Sequence, residues 1–88
     1  MDIRVTVLGA GSWGTTVAHL CAHNAPTTLW ARDPEVAEAI TTTGRNQRYL
    51  PLFDLHPALS ATADLAEAVA SADVLVMGVP SHVFRATL

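Results

Sequence analysis

Apolar residues come in short bursts along this chain, and their spacing switches repeatedly between a strand period and a helix period. Ile3 to Leu8 is a compact, β-branched run that predicts a strand close to the N-terminus. A helical pattern follows from about Ser12 to His23, with Trp13, Val17, Leu20 and Cys21 on the face expected to meet the core. Asn24, Ala25 and Pro26 end it. Thr27 to Ala31, with Leu29 and Trp30, predicts a second strand. Pro34 to Thr43 predicts a second helix with Val36, Ala37 and Ile40 inward and Gly44 as its stop.

From Arg45 to Ala58 the pattern breaks at Pro51 and Pro57, yet Tyr49, Leu50, Leu52, Phe53 and Leu55 are too apolar for a free linker. A packed loop that carries function, or a hydrophobic lid on the sheet edge, both fit. Leu59 to Thr62 predicts a short third strand. Asp64 with Glu67 three residues on predicts a capped helix to about Ser71, with Leu65, Ala68 and Val69 inward. Val74 to Val79 is a continuous apolar run, suited to a strand covered on both faces. A last helix is expected from near Ser81.

The order is β-α-β-α-loop-β-α-β-α. Right-handed crossovers turn it into a parallel α/β sheet of about four strands with helices on both faces.

The first strand–helix junction carries the chemistry. Gly9-Ala10-Gly11-Ser12-Trp13-Gly14 is Gly-x-Gly-x-x-Gly between a strand and a helix, the context that makes it a dinucleotide-binding fingerprint. Gly9 permits the sharp exit from the strand, Gly11 the approach of a pyrophosphate, and Gly14 close packing of helix on sheet. The helix N-terminus then offers N–H groups and positive dipole to the phosphates, with the Ser12 hydroxyl at the mouth. Without a ligand, the same residues would be an ordinary glycine-rich turn.

The end of the second strand bears on cofactor type. An acidic side chain about twenty residues past the glycines binds the ribose 2′-hydroxyl in NAD enzymes, whereas an arginine accepts the 2′-phosphate of NADP. Here the strand ends Trp30-Ala31-Arg32-Asp33. Arg32 favours NADP, with NAD as the alternative if Arg32 is merely solvated and Asp33 is the ribose ligand. Asp33 also suits an N-cap, with Pro34 and Glu35 behind it. Pro80-Ser81-His82 follows the fourth strand at the same carboxyl edge. Those polar groups either face the cofactor or substrate, or Ser81 simply caps the last helix.

Composition narrows the class. The 88 residues are 50% hydrophobic and 15% charged, so the chain wants a sizeable core. At this length a domain buries only about two-thirds of its unfolded surface, and stability alone would be marginal. A net charge of −3 without any basic run argues against nucleic acid and anionic membrane as partners. No stretch has the layout of a signal peptide or the length of a membrane span, which makes cytoplasm the expected location. A lone Cys21 excludes an intramolecular disulfide and reads as a small buried hydrophobe. His19 and His23 have metal-ligand spacing but no evident third ligand, so they read as solvated surface histidines and no metal is expected.

Taken together, Gly9-Ala10-Gly11-Ser12-Trp13-Gly14-Thr15, Leu29-Trp30-Ala31-Arg32-Asp33, Asn46-Gln47-Arg48-Tyr49-Leu50-Pro51 and Val79-Pro80-Ser81-His82 resemble the bacterial NAD(P)-dependent glycerol-3-phosphate dehydrogenases. The likeness covers nearly the whole chain. It implies a Rossmann-type domain and interconversion of dihydroxyacetone phosphate and sn-glycerol 3-phosphate, feeding phospholipid synthesis. It also implies cofactor contacts at Ser12, Trp13, Arg32 and Tyr49, which join Gly9, Gly11, Gly14 and Pro80 as candidate cofactor-binding residues. Leu52 departs from the glycine or polar residue that many relatives have there. The family's catalytic lysines and helical substrate domain are expected beyond Leu88, since all five basic residues here are arginines. Residues 1–88 are thus expected to be the N-terminal part of the cofactor domain, inactive alone, with a small phosphorylated substrate and a homodimer open to the whole protein. The rivals are another dehydrogenase of 6-phosphogluconate type and a non-catalytic dinucleotide-sensing module.

Overall fold

The computed structural model describes residues 3–48 and 54–77. Seven elements follow in order: β1 (Val5–Leu8), α1 (Ser12–Ala22), β2 (Thr27–Trp30), α2 (Pro34–Thr43), β3 (Leu59–Thr62), α3 (Leu65–Ala70) and β4 (Val74–Met77). All strand pairs are parallel, and the sheet order is β3-β2-β1-β4. Val5 aligns with Thr27 on one side and with Val74 on the other, so the carboxyl ends of β1, β2 and β4 lie level.

The strands' period of two sorts side chains between two cores. Val7 and Leu29 point to one face and pack with Ala18 of α1 and Val36, Ala37 and Ile40 of α2. Leu8 and Trp30 point to the other and pack with Ala68 of α3. Burying Leu29 completely is worth about 1.5–3 kcal/mol. Two hydrogen bonds tie α3 and its approach to the sheet: Thr6 Oγ1 donates to Ala68 O at 2.9 Å and Trp30 Nε1 to Ala63 O at 3.1 Å. The chain therefore winds outward from β1 to β3 over one face, then crosses back over the other to place β4 beside β1. That reversal of direction opens a crevice at the carboxyl ends of β1 and β4, where α/β folds bind ligands.

Helix ends follow their sequence signals. Asp33 Oδ1 accepts the Glu35 N–H at 2.9 Å, and Asp64 Oδ1 accepts that of Glu67 at 3.0 Å. Gly44 closes α2 at φ 72°, a left-handed conformation that a side chain would strain.

Three expectations need correction. The buried face of α1 is Gly14, Thr15, Ala18 and Ala22, while Trp13 and Leu20 are each 61% exposed and Cys21 is only half-buried. A helix lying close on a sheet presents its small residues, so Trp13 and Leu20 fall outside the core face while Val17 packs against it. In α3, Ala68 is buried but Val69 is exposed, because a six-residue helix has room for one inward turn. Among the described residues β4 pairs with β1 alone, and Val74, Leu75 and Met77 are exposed while Val76 packs against the core, so these residues by themselves cover only one of its faces. The helix expected near Ser81 lies outside the described residues.

Candidate functional site

β1 ends at Leu8, and the chain leaves it through Gly9 at φ 113°, a value open in practice only to glycine. The Gly9 N–H donates to Trp30 O at 3.0 Å, which fastens this turn to the end of β2. Gly11 is different. Its φ of −71° and ψ of −176° are extended backbone that any residue adopts. A Cβ built there would meet no atom within 4 Å. Neither backbone conformation nor protein packing therefore requires glycine at position 11. The open space beside it is what a side chain would fill.

Gly11 is also the N-cap of α1, and it makes no side-chain cap bond. Thr15 N–H donates to Gly11 O at 3.0 Å and closes the first turn of the helix. The earlier amides of the first turn point out of the helix end, as they must in any helix. No acidic residue occupies that turn. By contrast, α2 and α3 are each capped by an aspartate and carry a glutamate in the first turn. Among the described residues, one helix start out of three is thus left electropositive and without a carboxylate, beside a gap at Gly11, in the crevice between β1 and β4. That is a fit for a phosphate.

Ser12 and Trp13 stand exposed at the mouth, and Gly14 is buried against the sheet. Arg32 is exposed two residues after Trp30, hence at the same edge as the glycine turn. Asp33 is engaged twice: one oxygen caps α2, and the other accepts from Arg48 Nη1 at 3.0 Å. An open depression of ≈ 370 Å³ lies beside this ion pair, lined by Asp33, Glu35, Val36, Ala39, Gln47 and Arg48. Tyr49 and Pro80 lie outside the described residues.

Two features escape sequence reasoning. Asn46, in the loop after α2, is wholly buried, and its Nδ2 donates to Ala10 O and to Thr15 Oγ1, both at 2.8 Å. A polar residue in an aperiodic loop gives no signal of burial. The second is a cluster of imidazoles. His19, expected to be solvated, is half-buried, and its Nδ1 accepts the His56 N–H at 3.0 Å. His23 Nδ1 donates to His19 O at 3.0 Å. Ring centroids lie 4.8 Å apart for His19–His23 and 4.5 Å for His23–His56. Burial first, then the neighbouring His23 and His56, lowers the His19 pKa from its ordinary 6.5. No group of three or more His, Cys, Asp or Glu among the described residues is arranged to hold a metal.

Residues 4–88 match the family model for the NAD-dependent glycerol-3-phosphate dehydrogenase N-terminus. Over 88 residues the chain is 58% identical to glycerol-3-phosphate dehydrogenase [NAD(P)+] 2 of Sphingopyxis alaskensis, covering all of this chain and 26% of that protein. It is 54% identical over 86 residues to the Mycobacterium avium glycerol-3-phosphate dehydrogenase [NAD(P)+], covering 97% of this chain and 25% of the relative. The crystal structure of glycerol-3-phosphate dehydrogenase from Coxiella burnetii superposes with a TM-score of 0.86 at 30% identity, over 98% of this chain and 27% of that one. The chain spans about a quarter of the length of these relatives.

Proposed function

The chain belongs to the NAD-dependent glycerol-3-phosphate dehydrogenase N-terminus family, and from that premise we propose that it is the cofactor-holding part of an enzyme interconverting dihydroxyacetone phosphate and sn-glycerol 3-phosphate. One observation carries the reading: Gly11 is required by neither its backbone angles nor its neighbours, and the space it leaves adjoins a helix N-terminus whose first turn holds no acidic residue. A pyrophosphate accounts for both.

When bound, a nicotinamide dinucleotide supplies hydride to the ketone carbon or accepts it from the alcohol. The residues of this chain hold and orient it. The first turn of α1 takes the phosphates, Gly11 lets them approach, and the Ser12 hydroxyl and Trp13 indole flank the mouth. Arg32 faces the adenosine end, where its guanidinium favours a 2′-phosphate and therefore NADP over NAD. Tyr49 and Pro80 are assigned to the same site by family likeness. The chain has no lysine, so the proton donor and the cations for the substrate phosphate are assigned to the remainder of the whole protein, including a helical substrate domain. No helix among the described residues is long and apolar enough to cross a membrane, and a cytoplasmic site of action goes with this reading.

The test is Gly11→Val in the whole protein, titrated with NADPH by nucleotide fluorescence and assayed with dihydroxyacetone phosphate. Valine tolerates the observed backbone angles and its Cβ meets no protein atom within 4 Å, so stability should fall by no more than the loss of a favourable N-cap residue, about 1 kcal/mol. Affinity should fall at least tenfold, about 1.4 kcal/mol. Unchanged affinity would remove the phosphates from this turn.

A further inference from the structure

The phosphate turn is built on glycine, the residue least restrained in its backbone dihedrals. Ala10 stands between Gly9 at φ 113° and Gly11, and Gly11 carries no side chain to restrain it. Glycine's freedom in φ and ψ leaves a peptide-plane flip sterically open there, and such a flip would oppose anion binding. In a trans peptide the C=O of one residue and the N–H of the next point in opposite directions. A flip of the Ala10–Gly11 peptide would therefore turn the Gly11 N–H inward and aim the Ala10 carbonyl at the anion.

We propose that Asn46 is the positioning residue of the phosphate turn, locking the Ala10–Gly11 peptide so that its N–H faces the dinucleotide. This inference rests on the reading of the turn as a pyrophosphate seat. Asn46 Nδ2 donates one hydrogen to Ala10 O and the other to Thr15 Oγ1, each at 2.8 Å, from a position 36 and 31 residues away in sequence. Asn46 and Thr15 are both wholly buried, so water does not compete for the bond between them, while the bond to the half-buried Ala10 is partly shielded. With the Ala10 carbonyl held by Asn46, the Gly11 N–H of the same trans peptide is directed the opposite way, away from Asn46. Thr15 is the residue whose N–H closes the first turn of α1 on Gly11 O. The same amide thus braces the turn and the helix start at once. Two donors on one rigid group are what this task needs. Aspartate has the same shape but presents oxygens to the carbonyl and repels it.

The experiment uses the whole protein with Asn46→Asp, read by NADPH affinity and by amide hydrogen exchange of the nucleotide-free form. Exchange should rise in Gly9–Gly14 and stay unchanged in Thr27–Trp30, while NADPH affinity falls at least tenfold. Thr15→Val, which removes the second acceptor with little change of volume, should show the same pattern at about threefold and serves if Asn46→Asp does not fold. Faster exchange across Thr27–Trp30 as well would reduce Asn46 to a general packing role and overturn the proposal. So would unchanged affinity. If Gly11→Val loses NADPH while the Asn46 and Thr15 variants keep it, the pyrophosphate seat stands and this inference alone falls. If the unaltered protein does not bind NADPH, both fall together.

Discussion

Arg48 Nη1 donates to Asp33 Oδ2 at 3.0 Å, and the other oxygen of the same carboxylate caps α2 through the Glu35 N–H. Asp33 is thereby committed on both sides to holding the chain that leaves β2. This weighs against its use as a ribose ligand. Asp33→Ala in the whole protein should lower stability by about 1 kcal/mol through the lost cap, with little more from the exposed ion pair. NADH affinity should stay within threefold. A loss of tenfold or more for NADH, with NADPH spared, would make Asp33 the ribose ligand after all.

Arg32, its neighbour, is exposed at the same strand end. A charge-assisted bond from its guanidinium to a 2′-phosphate is worth about 1.5–3 kcal/mol. Arg32→Ala should therefore weaken NADPH by roughly tenfold to a hundredfold and NADH far less. Competitive titration of both nucleotides against one variant decides it. Equal losses would show that Arg32 packs against the adenosine without reading its phosphate.

The strands, the aspartate caps and the Gly44 stop were legible because each is written locally, in a period of two or in one residue type at one offset. The glycine turn was legible for the same reason. The inward face of α1 was not. Hydrophobic periodicity ranks residues by apolar bulk, and Trp13 and Leu20 outrank Thr15 and Ala18 on that scale, although Val17 does pack against the core. The sheet selects the opposite: Gly14, Thr15, Ala18 and Ala22 face it because only short side chains let the helix lie close. Asn46 and the His19–His56 contact were hidden for another reason. Both pair residues more than thirty positions apart, across a loop with no period to read.

That packing argument has its own consequence. Ala18 is wholly buried between α1 and the sheet, so Ala18→Leu, a gain in hydrophobicity, should cost about 1–3 kcal/mol by overpacking. Trp13→Gln, a loss of the largest apolar group on the helix, should change stability by no more than about 0.5 kcal/mol, because the indole is mostly exposed. Denaturant unfolding of the nucleotide-free whole protein measures both. The reverse order of effects would restore the bulky stripe as the core face.

The histidine cluster makes the stability pH-dependent. His19 Nδ1 must be unprotonated to accept the His56 N–H, and burial first, then His23 and His56, lowers the His19 pKa below 6.5 in the folded chain. The sign follows from which state takes the proton first. Unfolded, His19 titrates near 6.5; folded, it holds out to lower pH. As pH falls through 6.5 the unfolded state binds more protons, so stability declines until the lowered folded pKa is passed, and above 6.5 the full stability is present. His19→Asn should flatten this response, because asparagine Oδ1 can accept the His56 N–H without titrating. Thermal midpoints of the two proteins should thus diverge between pH 7.5 and 5.0, with the unaltered chain losing more. Amide exchange at His56, corrected for its intrinsic pH dependence, should accelerate toward pH 5.0 only where His19 is present. Parallel midpoint curves would mean that protonating His19 leaves the loop seated on α1.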